Sequence, residues 1–217
     1  HVILKEYYID KETPYFKEYA KEFTDMPFLV RVEDINGAVQ PGRFLNAKDL
    51  GSKEDGADFQ TVLIDETTNE IVVPNGTMGD RHTNPQKWNL RLENRNTGAK
   101  IDPRLSVFDQ RQDVTVVKLP YFGDEEHEGV IERAIPTITV QTVDGPVKVT
   151  TVYDLILANY GIDRGIGGEV ATSYTDDTPY TPTWQEKITG VKADIAIATA
   201  REFADNAEKT KGRSMII

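Results

Sequence analysis

Apolar positions along the chain fall into three regimes. Residues 1–9 read as the last turns of a helix. Thr13-Pro14 then supplies a capping hydroxyl and a first-turn proline for a second one. Phe16, Tyr19, Ala20 and Phe23 follow at i, i+3, i+4 and i+7, the spacing of one apolar helix face. After Pro27, the run Phe28-Leu-Val-Arg-Val32 predicts a buried strand, and Asn36-Gly37 predicts a tight hairpin turn. From about Gly42 the rhythm changes to short apolar runs at 60–64, 70–73, 114–119, 138–141 and 147–151. Asn75-Gly76, Asn96-Thr-Gly98 and Asp144-Gly145 separate them, which predicts antiparallel strands and long loops.

Helical patterning returns at 153–160 and stops at Gly161. Thr181-Pro182 opens a short helix that Gly190 ends, and a longer helix is expected over 193–209. Its Ala196, Ala200, Phe203, Ala204 and Ala207 share one face whose small side chains permit close packing. After Gly212, residues 214–217 read as the start of a buried strand. The fold class expected is α/β, with Rossmann-like α/β elements at both ends and a strand-rich, antiparallel insert between them. The divisions are an opening segment 1–41, an insert 42–150 and a closing segment 151–217. Both chain ends read as cuts through apolar elements, since natural termini are usually polar.

Composition narrows the functional classes. With 217 residues the chain can bury a substantial core, but only 38% of it is apolar and 28% is charged. Much of its surface should therefore be solvated or covered by a partner. The formal net charge of −11 repels phosphate backbones and anionic lipid surfaces, so neither nucleic acid nor a membrane is an expected partner. No apolar run approaches the roughly 18–20 residues of a spanning helix. The chain has no cysteine, so it supplies no disulfide, thiolate ligand or cysteine nucleophile.

The remaining candidates for chemistry are weak. His1, His82 and His127 are scattered without metal-ligand spacing and read as loop residues. The carboxylate runs Asp124-Glu-Glu126 and Asp176-Asp177 read as solvated, whereas acid–base work needs a carboxyl displaced from its usual pKa. Gly161-Ile-Asp-Arg-Gly165-Ile-Gly167-Gly168 matches neither dinucleotide nor P-loop spacing. It follows a helix rather than a strand, the context of a helix C-cap and connecting loop. Asn75-Gly-Thr77 fits a glycosylation acceptor but reads as a turn. The expected catalytic, cofactor-binding and metal-binding residues within this chain are none.

Longer strings carry a resemblance. Thr150-Thr-Val-Tyr-Asp-Leu-Ile-Leu-Ala-Asn-Tyr-Gly-Ile-Asp-Arg-Gly165, Ala171-Thr-Ser-Tyr-Thr-Asp-Asp177 and Tyr180-Thr-Pro-Thr-Trp-Gln-Glu-Lys-Ile-Thr-Gly-Val191 resemble the catalytic alpha subunit of respiratory nitrate reductases. So do Ala200-Arg-Glu-Phe-Ala-Asp-Asn-Ala207, Gly212-Arg-Ser-Met-Ile-Ile217, Gly42-Arg-Phe-Leu45, Val73-Pro-Asn-Gly76 and Leu119-Pro-Tyr-Phe-Gly123. The resemblance implies an internal segment of a molybdopterin oxidoreductase. Such an enzyme carries bis-molybdopterin guanine dinucleotide and an iron–sulfur cluster, and reduces nitrate to nitrite. It implies iron–sulfur beta and quinol-oxidising gamma subunits as partners, and a position on the cytoplasmic side of the membrane. The family's metal-ligating residues fall on no position of this sequence, so the segment alone is expected to be inactive. The alternatives are a sibling reductase of perchlorate or selenate, a dimethyl sulfide dehydrogenase, or a non-catalytic interaction module.

Overall fold

A computed structural model describes residues 1–77, 90–121 and 129–214. The chain divides into two compact units. One comprises His1–Tyr19, Leu119–Ala134 and Ile156–Ile217; the other comprises Ala20–Lys118 and Ile135–Leu155.

Most of a five-stranded sheet, in the order β2-β1-β9-β8-β7, belongs to the second unit. Its strands are β1 (Leu29–Ile35), β2 (Ala38–Phe44), β7 (Asp113–Pro120), β8 (Val130–Thr142) and β9 (Gly145–Thr151). The neighbours β2–β1, β1–β9 and β9–β8 pair antiparallel. Asn36 and Gly37 close the first hairpin with φ of 58° and 81°, the left-handed pair that a two-residue turn matching strand twist requires. Pro41 sits on the edge strand β2, where a missing N–H costs no inner ladder bond. Short pairs, β3 (Leu63–Ile64) with β4 (Ile71–Val72) and β5 (Pro74–Asn75) with β6 (Arg91–Asn94), complete the strand-rich part.

Leu29, Leu45, Val62, Ile64, Val107, Val140 and Val149 form the main core of this unit. Phe28, Leu63, Val72 and Ile101 form a second cluster. Helix α1 (Pro14–Phe23) begins at the expected proline, but its apolar stripe is half used: Ala20 is buried, whereas Tyr19 and Phe23 are exposed. Helix α2 (Val152–Asn159) follows β9 without a loop. Thr151 caps it, accepting from the Asp154 N–H at 3.1 Å and donating to the Asp154 carboxylate at 2.9 Å.

The first unit is mainly helical. Residues Leu4–Asp10 wind as a π-helix rather than an ordinary helix end, burying Tyr7 and Tyr8 against Phe16. Helix α3 (Pro182–Thr189) has the expected device: the Thr181 hydroxyl accepts from the Trp184 N–H, Pro182 opens the first turn, and Gly190 ends it at φ 75°. Helix α4 (Ala193–Thr210) buries only Ala204 and Ala207 of its expected face. Ser214 is not in a strand, and residues 215–217 lie outside the described residues.

The fold is thus mixed α/β with an antiparallel sheet. The opening strand β1 is not a separate α/β unit, because it lies between β2 and β9 of the same sheet. Strand β8 reaches from Val130 to Thr142, well beyond the expected 138–141. Pro136 and the charged Glu132 and Arg133 hide its first half. Pro136 precedes the first β8–β9 pair, Ile138 with Val149, so its missing N–H interrupts none of those pairs.

Candidate functional site

Two clusters in the first unit bring charged side chains together. A cavity of about 510 Å³ is lined by Lys5, Glu6, Asp10, Lys11, Tyr174 and Arg201 among others. Most of its charges are paired with one another, and Lys11 lies over the Tyr7 ring. Arg201 donates to the Glu6 carboxylate through Nε at 3.0 Å and Nη2 at 2.6 Å, and the Tyr174 hydroxyl donates to it at 2.9 Å. Lys5 pairs with Asp10 at 2.8 Å. The Arg201 bond holds the Glu6 carboxyl below its usual range. Burial, and then the Glu6 bond, push the Tyr174 hydroxyl well above the usual phenol range. A carboxylate locked ionised and a phenol locked neutral are poor proton-transfer groups near neutral pH. Tyr7, whose hydroxyl donates to Asp205 and to the Arg201 carbonyl, is likewise displaced upward by burial.

The second cluster surrounds Arg133, a residue that sequence reading passed over. Its side chain is 1% exposed. The signal was present: strand alternation places Arg133 with Ile131 and Ile135, both fully buried. Tyr121 and Tyr180 act on it electrostatically, and with Tyr160 and Trp184 they form a cluster of rings whose neighbouring centroids lie 5.2–6.0 Å apart. The Trp184 indole N–H donates to the Tyr121 hydroxyl at 2.9 Å. Burial lowers the Arg133 pKa, and the Glu169 carboxylate opposes that shift.

The glycine loop starting at Gly161 serves as the end of α2. Gly161 has φ 67°, and its N–H donates to the Ala158 carbonyl at 2.9 Å. A Cβ at Gly161 would stand 3.5 Å from Arg133 Nη2, and one at Gly168 would stand 2.8 Å from the Ala134 nitrogen. Gly161 and Gly168 therefore allow close approach to Arg133 and its strand.

Asp176 is consumed locally, accepting from the Thr172 N–H and hydroxyl and from the Ser173 N–H, while Asp177 pairs with Lys187. His1 shares a hydrogen bond of 2.7 Å with the Tyr160 carbonyl. Gly76 takes φ 81°, and Thr77 beside it is buried. His82, His127 and the run Asp124-Glu-Glu126 lie outside the described residues. Among the described residues, no group of three or more His, Asp or Glu is arranged to hold a metal, and no helix is long and apolar enough to cross a membrane.

The comparisons with known proteins are one-sided. No protein-family profile matches the chain. It is 47% identical over 217 residues to the nitrate reductase alpha chain of Bacillus subtilis, which covers all of this chain and 18% of that protein. It is 43% identical over 230 residues to the respiratory nitrate reductase 1 alpha chain of Escherichia coli, with the same coverage. To the nitrate reductase alpha subunit of Mycobacterium tuberculosis it is 41% identical over 222 residues, again 18% of that protein. Identity at this level along every residue fixes descent, even though the chain spans only about a fifth of its relatives' length. The chain belongs to the nitrate reductase alpha-chain family.

Proposed function

We propose that these residues form a supporting segment of the catalytic alpha subunit of a respiratory nitrate reductase, which reduces nitrate to nitrite. The observation that carries this reading is the match to nitrate reductase alpha chains over the whole chain. The same relatives favour nitrate over the oxyanions of the sibling reductases. By family resemblance, the intact subunit would use bis-molybdopterin guanine dinucleotide and an iron–sulfur cluster. It would work with beta and gamma subunits on the cytoplasmic side of the membrane.

The chain has no cysteine for an iron–sulfur cluster, and its described carboxylates and His1 form no metal constellation. The reading places the metal ligands on other segments of the subunit and assigns no catalytic, cofactor or metal residue to this one. A role in a Rossmann-like layer of the subunit is part of the proposal. Among the described residues a parallel bridge joins Ile162 to Ala171, and in this reading the parallel strands of such a layer are supplied from elsewhere.

The supporting role predicts a negative result for the chain in isolation. After purification from cells that make molybdenum cofactor, it should contain no molybdenum and form no nitrite with a reduced dye. Stoichiometric molybdenum or sustained nitrite formation would overturn the assignment.

A further inference from the structure

We propose that the N-terminal half of α4, with the corner that joins it to α3, is a docking face for an apolar element of the same alpha subunit that lies outside these 217 residues. Residues 193–200 read Ala-Asp-Ile-Ala-Ile-Ala-Thr-Ala, with one charge, one hydroxyl and otherwise aliphatic side chains. None of them is buried. The second half of the helix is the reverse. It carries Arg201, Glu202, Asp205, Glu208 and Lys209, yet it is the half that buries Ala204 and Ala207. A helical stretch that is apolar on nearly every side belongs in an interior, because exposure forfeits the free energy of removing those side chains from water. No described residue supplies that interior.

The uncovered surface extends onto the preceding corner. Ile188 and Ile195 are each 56% exposed, and Val191 between them is exposed as well. The corner itself is fixed. Gln185 Nε2 donates to the Val191 carbonyl at 2.9 Å, the Ala193 N–H donates to Glu186 Oε2 at 2.8 Å, and Lys192 pairs with Glu186 at 2.6 Å. Three aliphatic side chains are thus presented on an ordered backbone, so little ordering entropy opposes docking. The occupant that fits is aliphatic and uncharged at the contact, since the nearby Glu186 and Lys192 are spent on each other. The chain spans 18% of the alpha chains it matches, so most of such a subunit lies outside it and is available as the cover. A net charge of −11 disfavours an anionic lipid surface in that role. The inference rests on the reading of this chain as a segment of that subunit.

The test uses the assembled enzyme in which these 217 residues replace the matching stretch of the Bacillus subtilis alpha chain. Ile195→Cys is alkylated in the native enzyme and after urea unfolding, and the modified peptide is quantified by mass spectrometry. The introduced thiol should react at least roughly tenfold more slowly in the native enzyme, the mark of a site reached only by local opening. Benzoylphenylalanine placed at Ile195, or at Thr199 where the first variant does not assemble, then identifies the cover on irradiation. The cross-linked peptide should come from the alpha chain outside the 217 residues. Weaker protection of the thiol would overturn the proposal, and so would a cross-link to another subunit, to a second alpha chain or to lipid. Nitrate reduction by the same enzyme reports separately on the functional reading. An active enzyme with a freely alkylated thiol sinks the docking face alone, whereas a protected thiol in an enzyme that makes no nitrite sinks the functional reading alone.

Discussion

Replacing Asp154 by alanine is expected to destabilise the chain by about 3 kcal/mol, and by asparagine nearly as much. The residue is 1% exposed, and its carboxylate accepts from three donors. It accepts from the Ser106 hydroxyl at 2.6 Å, the Val107 N–H at 2.9 Å and the Thr151 hydroxyl at 2.9 Å. Alanine leaves several buried donors without that acceptor, and each such group costs about 1–3 kcal/mol, partly relieved by water entering the gap. Asparagine keeps the shape but turns an NH₂ group toward donors, so it repairs little. That near-equality is the diagnostic point, because a purely steric role would leave asparagine close to the natural chain. Urea unfolding followed by far-ultraviolet circular dichroism reads both values. A loss below about 0.5 kcal/mol, the scatter of ordinary surface substitutions, would show that Asp154 does not pin the 106–107 loop to the start of α2.

Leu29→Ala is expected to cost about 3 kcal/mol by the same measurement. Leu29 is fully buried at the centre of the main core, beside Leu45, Val62, Val107 and Val149. Its backbone is also committed: its N–H donates to the Val62 carbonyl, and its carbonyl accepts from Leu45. The strand cannot shift to close the cavity without breaking those bonds, so the loss should fall in the range of core truncations rather than near zero. Leu29→Met, which conserves volume, should cost less than about 1.5 kcal/mol. Phe23→Ala is the control on the other side, since Phe23 is 65% exposed and should shift stability by no more than about 0.5 kcal/mol. If Phe23→Ala cost as much as Leu29→Ala, the placement of the core would be wrong.

The two residues also show what could be read from sequence. Leu29 falls in an apolar run after Pro27, and its strand was expected. The Thr151-x-x-Asp154 spacing before an apolar stretch is a capping signature, so half of Asp154's role was legible. Its other partners, Ser106 and Val107, stand almost fifty residues away, where no periodicity reaches. Cap-and-proline signals located α1 and α3 because those signals act within one helical turn. Strand β8 was cut short because proline and two charges mimic a loop, and only the neighbouring strands reveal that they lie in a sheet. The face of α1 misled in the opposite sense. Helical spacing shows which residues share a side, but Tyr19 and Phe23 remain uncovered within the described residues. Arg133 was passed over because a charged residue in a strand reads as outward-facing unless its alternation with Ile131 and Ile135 is followed.

The proposed supporting role can be tested in the assembled enzyme. The direct measurement replaces the matching stretch of the Bacillus subtilis alpha chain with these 217 residues. Molybdenum content and nitrite formation from nitrate are then measured in the assembled enzyme. The account predicts a molybdenum-loaded chimera that reduces nitrate at a rate within roughly tenfold of its parent, a barrier change of no more than about 1.4 kcal/mol. A chimera that assembles and holds molybdenum, yet reduces another oxyanion in place of nitrate or makes no nitrite, would contradict it.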